Sequence, residues 1–341
     1  MSARIASFTA TLCREVRVTG SVARPTIISE EAEKGAFVTY RLATYQSADG
    51  PRAAIIVGER VIDAGKGTRA NGDTSVMEIL ADWNKARLRL QALAERQGVR
   101  GQPLSKVKLL SPLPLPGAVY CAGSNYGDHA AEMARVKGLP PPPDPHDLGL
   151  EPWHFIKSSR AVTAPNATIK APAASQKLDW EAELALVIGR KASNVSEKDA
   201  LRYVAGYVVA NDFSARDLGR RAAAPPGSLF ATDWTSHKSF DGACPLGPWI
   251  TLKADVKDPH NLAIQLDVNG VTKQDSNTSH MIFNINEQIA FLSSRITLWP
   301  GDVILTGTPD GVGNGRGEFL KAGDVVRTRV EGLGELVNKI S

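Results

Sequence analysis

Cysteine is scarce in this chain, with three among 341 residues. Cys13, Cys121 and Cys244 lie far apart and form no C-x-x-C. That argues against a disulfide framework or a thiolate zinc site and makes a reducing cytoplasm the expected compartment. Long apolar runs are missing too: nothing approaches the roughly eighteen residues of a membrane span. No strong charge bias exists, because the formal net charge is only +4 and both signs are mixed along the chain. The balance therefore gives no case for nucleic acid or a membrane surface as partner. No internal repeat is visible. Acidic residues are absent before Glu15, which faintly suggests a transit peptide. The stretch lacks a long apolar core, however, and Glu30, Glu31 and Glu33 soon follow. Residues 1–35 are read as an extension packed on a neighbouring subunit.

What is present is ordinary for a globular enzyme: 43% hydrophobic and 22% charged residues, in a chain long enough for one large domain or two. VTYRLATYQ and AAIIVGERVIDAG read as strands, with Ser47, Asp49, Gly50 and Pro51 marking the turn between them. Ser75 and Glu78 make a capping box that opens a helix through MEILADWNKARLRLQALAERQ. Residues 36–110 thus form a small N-terminal unit, and SPLPLPG (111–117) reads as a linker. Residues 111–341 are rich in short β signals separated by Gly, Pro and Asp, with helices after Ser196 and in NINEQIAFLSS. The expected class is α+β and β-rich, a roll, sandwich or barrel-like body. The proline-dense stretches 137–152 and 220–234 read as lids or binding loops.

LDWEAELALVIGR raises a question. Glu181 and Glu183 project from one face of an apolar strand, since side chains alternate. Either that face is wet, or a cation sits between the carboxylates. Asp212, ending the apolar run VVAND, is the candidate third oxygen donor, or else a turn residue at a strand end. Three carboxylates without a thiolate suit Mg²⁺, Mn²⁺ or Ca²⁺. In NYGDHAAEM, His129 and Glu132 stand at i and i+3 and can touch on a helix, either as a proton-transfer pair or as an ordinary surface contact. Lys157 and Lys238 each follow a proline-rich loop, suited to holding a carboxylate or oxyanion or simply to solvent. Arg216 and Asp217 pair with one another or with neighbours. In TGTPDGVG (306–313), Thr308 and the backbone N–H groups can cradle a carboxylate. His146, His154, His237, His260 and His280 show no ligand spacing and are read as loop or surface residues.

As an ordered set, NYGDHAAE, FIK, LDWEAELALVIGR, AGYVVANDFSARD, HKSFDGACPLGPW, VNG and LTGTPDGVG resemble the fumarylacetoacetate hydrolase family over roughly residues 115–335. The preceding unit resembles the small N-terminal domain of many bacterial members. The resemblance implies the family's catalytic fold, often dimeric, with Mg²⁺ or Mn²⁺ held by Glu181, Glu183 and Asp212. It further implies His129 and Glu132 as the dyad that activates water and Lys238 as the active-site lysine. Tyr126, Lys157, Arg216 and Thr308 are the expected substrate contacts. The expected reaction is hydrolysis of a C–C bond in a 1,3-diketone or 1,3-diketo acid, by a homodimer with no nucleic-acid or membrane partner. Oxaloacetate-type decarboxylation, keto–enol or double-bond isomerisation and hydration use related sites and stay open; a binding protein without catalysis is the reading from another class. Three departures bear on the substrate. Gly219 replaces a common glutamine, Ser158 and Ser159 follow FIK where proline is common, and the 220–234 loop carries Phe230 and Trp234. They suggest a roomier, more apolar pocket for a bulky or cyclic diketone, or else subunit contacts.

Overall fold

The strand Ala182–Ile188 is buried along its whole length, as is its antiparallel partner Val204–Asn211. Buried on both faces, such strands belong at the centre of a layered fold rather than at a wet edge. They are the middle of a twelve-stranded mixed sheet. This is a computed structural model, and it describes residues 38–225 and 227–341. The extension expected over residues 1–35 lies outside the described residues.

On one side of the central pair the sheet continues through Val303–Leu305 and Val119–Ala122 to His154–Lys157. Val303–Leu305 and Val119–Ala122 pair in parallel, far apart in sequence. On the other side it runs through Cys244–Leu252 and Arg41–Ser47 to the hairpin Gly50–Val57 and Arg60–Asp63. The strands of residues 36–110 therefore join the same sheet as the rest, and residues 38–341 form one compact unit. A second, five-stranded sheet is built on Ala263–Val268, Val271–Asn277, Val325–Val330 and Gly334–Ile340. The apolar core between the layers joins Leu184, Leu186, Val209 and Phe213 to Leu266, Val326 and Leu336.

Local rules account for most elements. The Ser75–Glu78 capping box is formed in both directions, worth about 1 kcal/mol at such a terminus, but the helix ends at Ala81 and a second one, Trp83–Glu95, begins after Asp82. Asn284 and Glu287 make a second capping box for Ile285–Arg295. At Ser196 the hydroxyl bonds the Asp199 carboxylate rather than a backbone N–H. Cys244–Leu252 escapes the sequence pattern because Pro245 and Pro248 argue against a central strand. It is nonetheless paired on both sides, with a register irregularity between Tyr207 and Val209 of its neighbour.

Candidate active site

Strand register gathers the carboxylates. Ala182 pairs with Asn211, so Glu181 and Asp212 face each other one step further on, where the Asp212 N–H donates to the Glu181 carbonyl at 2.9 Å. Glu183 follows on the same face. One oxygen from each of the three lies within 4.8 Å of the others, and all three residues are buried. Gly307, at φ +98°, turns its N–H onto Glu183 Oε2 at 2.7 Å. A side chain there would be strained by its φ and would press a Cβ to 3.0 Å from that of Asn125.

Fixed cations match two of the three carboxylates. Lys238 Nζ donates to Glu181 Oε2 at 2.8 Å and to Asp212 Oδ2 at 2.7 Å. Arg216 donates to Glu181 Oε1 at 2.5 Å and to Asp179 Oδ2 at 2.7 Å. Lys157, fully buried, forms an ion pair with Asp212 and donates to the carbonyls of Ala243 and Phe213 at 2.6 and 3.2 Å. Burial disfavours the Glu181 carboxylate, but Lys238 and Arg216 overcome it and hold its pKa well below the carboxylate range. Burial likewise disfavours the Lys238 ammonium, yet Asp212 and Glu181 push it up to about 12. Glu183 has the opposite fate: burial, then the charges of Asp212 and Glu181, raise it far above its usual value. The Lys238 charge and the Gly307 N–H act against that rise without overcoming it, and the direct hydrogen bond comes from the N–H rather than from a cation. A third negative charge thus lacks compensation among the described residues, and a divalent cation on these oxygens fits that deficit. An all-oxygen donor set suits Mg²⁺ or Mn²⁺, with Ca²⁺ as a structural substitute.

The proton-transfer pair forms as its spacing predicts. The helix Gly127–Val136 holds His129 Nδ1 at 3.2 Å from Glu132 Oε2. The other Glu132 oxygen accepts the Gly311 N–H at 3.0 Å, which docks the pair on the 306–313 turn. The same turn carries Gly307, whose N–H binds Glu183. On the same turn, Gln274 Nε2 donates to the Thr308 hydroxyl at 2.9 Å. Tyr126 is fully buried, its hydroxyl pushed up by burial and by Glu183.

Arg216 and Asp217 bond to neighbours rather than to each other: Arg216 pairs with Asp179 and Glu181, while Asp217 accepts from the Ser175 hydroxyl and the Gln176 N–H. Other placements differ from expectation. Lys157 is fully buried and pairs with Asp212. His154 and His237 are mostly buried rather than surface residues, with pKa values lowered to about 4 and about 3, each chiefly by burial. Asp179, Asn125 and Gln274 went unnoticed. Asp179 accepts the N–H groups of Gly313 and Asn314. Asn125 ties Phe283 to Thr306. The signal for Asp179 was its position two residues before Glu181, where the aspartate of a buried LDWE strand needs a partner.

The family model described as fumarylacetoacetate (FAA) hydrolase C-terminal matches residues 118–341. The chain belongs to this family. A mitochondrial oxaloacetate tautomerase of Xenopus laevis is 39% identical over 311 residues, 89% of this chain and 91% of that protein. A fumarylacetoacetate hydrolase from Exiguobacterium antarcticum superposes with a TM-score of 0.71 at 27% identity, covering 89% of this chain and 99% of that one. A maleylpyruvate hydrolase from Sphingobium, solved with manganese(II) and pyruvate, superposes with a TM-score of 0.67 at 28% identity, covering 88% and 98%. The α+β family fold expected from the sequence is therefore the observed one, and the chain is an enzyme of this family with a site suited to a divalent cation. Among the described residues no helix is long and apolar enough to cross a membrane.

Proposed function

We propose that this chain is a divalent-metal-dependent enzyme that interconverts the keto and enol forms of a short 2-oxo acid of the oxaloacetate type. One observation carries the reading: a His–Glu pair, 3.2 Å apart, is docked through the Gly311 N–H on the turn whose Gly307 N–H binds Glu183 of the three buried carboxylates. A site of this kind binds a dicarbonyl acid and has next to it a group that takes and returns a proton. The activity named for the Xenopus laevis relative supports the same choice.

Glu181, Glu183 and Asp212 hold the metal, which when bound supplies a Lewis-acid centre that favours enolate charge. The remaining work belongs to the chain. His129, oriented by Glu132, moves the proton between the substrate carbon and oxygen. Thr308, held by Gln274, meets the substrate carboxylate, and Tyr126 backs the pocket floor. Lys238 balances charge as the enolate forms. Lys157 and Arg216 act on the metal ligands, because their donors are already turned to Asp212, Glu181 and Asp179. A homodimer in a reducing, cytoplasmic setting completes the proposal.

Hydrolysis of a 1,3-diketo acid is the second reading. The His129–Glu132 pair favours it, since such a pair also activates water, as does the fold shared with the Sphingobium hydrolase. The test follows enol absorbance of oxaloacetate with Mg²⁺, with Mn²⁺ and after chelation, beside CO₂ release and acylpyruvate cleavage. Metal-dependent enol loss without CO₂ supports the tautomerase. Acid and pyruvate from acylpyruvates, with oxaloacetate untouched, replaces it by the hydrolase.

A further inference from the structure

Beside the carboxylates stands a group of aromatic rings with no part in the chemistry described so far. The strand His154–Lys157 sends Phe155 and Lys157 to the same face, two residues apart. Lys157 reaches Asp212. The Phe155 ring lies 5.3 Å from Lys238 Nζ, the ammonium that binds Glu181 and Asp212. Phe155 therefore borders the charged floor directly. From it the rings continue outward: Trp234 stacks on Phe155 at 5.0 Å and 27°, and Trp153 meets Trp234 edge-on at 5.3 Å. His237, 5.6 Å from Trp234, completes the row on the Arg216 side.

The two tryptophans come from the ends of the two proline-rich loops, and each is about half exposed, 49% for Trp153 and 41% for Trp234. Two glycines make the arrangement possible by close approach. A Cβ on Gly123 would fall 1.6 Å from the Trp153 ring, and one on Gly219 would fall 2.9 Å from His237 Nδ1. Any side chain at either position would displace a ring of the row. An apolar, flat-sided wall that starts at the metal-binding carboxylates and ends in solvent is suited to the far end of a substrate whose near end is chelated at the floor.

Resting on the proposed tautomerase reading, we infer that this aromatic wall is a specificity subsite, and that the enzyme takes 2,4-dioxo acids bearing an aryl ring at the far end as well as short acids. The step is the same tautomerisation. A C3–H bond breaks, an O–H bond forms at the adjacent carbonyl, and no further reactant is consumed. The ring stacks on Trp234 and Trp153 while the dioxo acid end sits at Glu181, Glu183 and Asp212.

The experiment measures C3 proton exchange by NMR for 4-phenyl-2,4-dioxobutanoate and for oxaloacetate, using Mn²⁺-loaded wild type, Trp234→Ala, Trp153→Leu and Trp234→Phe. Calorimetric titration of both acids runs beside it. The expected result is a phenyl-over-oxaloacetate ratio of kcat/KM that falls roughly tenfold in Trp234→Ala, through KM, and is kept in Trp234→Phe. An unchanged ratio in both Trp234→Ala and Trp153→Leu overturns the inference. Absence of exchange with every acid would instead defeat the tautomerase reading, and calorimetry then decides the subsite. Phenyl-acid affinity lost in Trp234→Ala upholds it, and equal affinity in all four proteins overturns it.

Discussion

The floor and the rim of the site are built on opposite terms. The floor carries Glu181, Glu183, Asp212, Lys157 and Lys238, all buried: the carboxylates lie on or next to the central strands, Lys157 on the last strand of the sheet and Lys238 at the end of the short helix Trp234–Lys238. The rim carries Trp153 and Trp234, each about half exposed, where the two proline-rich stretches end. A charge in the floor is tolerated only with a partner, because removing one member of a buried pair costs several kcal/mol. A ring in the rim loses little by moving. The floor therefore fixes which chemistry is possible, and the rim selects which molecule undergoes it.

Substitutions separate the two. Glu183→Gln should have the largest effect, lowering Mn²⁺ affinity by at least ~100-fold and activity by ~1000-fold, read by calorimetry and by enol absorbance. His129→Ala should lower kcat by about 10²-fold while Mn²⁺ affinity stays as in wild type; a parallel loss of metal would place His129 among the ligands instead. Lys157→Met should leave Asp212 without its nearest cation and cost about 3–5 kcal/mol of stability, measured by urea unfolding. That cost should exceed the effect of replacing any rim tryptophan. The smallest effect concerns pH. His154 and His237 have folded pKa values near 4 and 3, lowered first by burial. Below about pH 6.5 the unfolded chain binds protons that the folded one does not, so stability is complete above that value and falls as pH drops toward 4. The expected loss is on the order of 2 kcal/mol per histidine across that window, and His154→Phe should flatten its share of the slope.

The same contrast explains what could be read from the sequence. Glu181 and Glu183 were legible because side-chain alternation is a local rule, and His129–Glu132 because i,i+3 contact is another. The Ser75 cap was legible for a similar reason, and the helix in NINEQIAFLSS from its spacing, although its Asn284–Glu287 capping box was not foreseen. The partners of these groups were not, since they come from across the fold. Arg216 meets Asp179, 37 residues away, and Glu183 meets Gly307, 124 residues away. Spacing along the chain carries no trace of either. Pro245 and Pro248 hid a central strand because pairing on both sides overrode the local preference. Val271–Asn277 was missed because its residues are mostly polar and partly exposed.

The parallel pairing of Val303–Leu305 with Val119–Ala122 has a consequence for biosynthesis. The large sheet cannot close until the chain has been made past residue 305, because its later strand is inserted between two earlier ones. Until then Ala182–Ile188 presents an unpaired apolar edge, a surface prone to mispairing, and Glu183 lacks the Gly307 N–H. The metal-binding carboxylates are therefore fully framed only once the chain has passed residue 307, and that edge stays open until the ribosome has made Val303–Leu305.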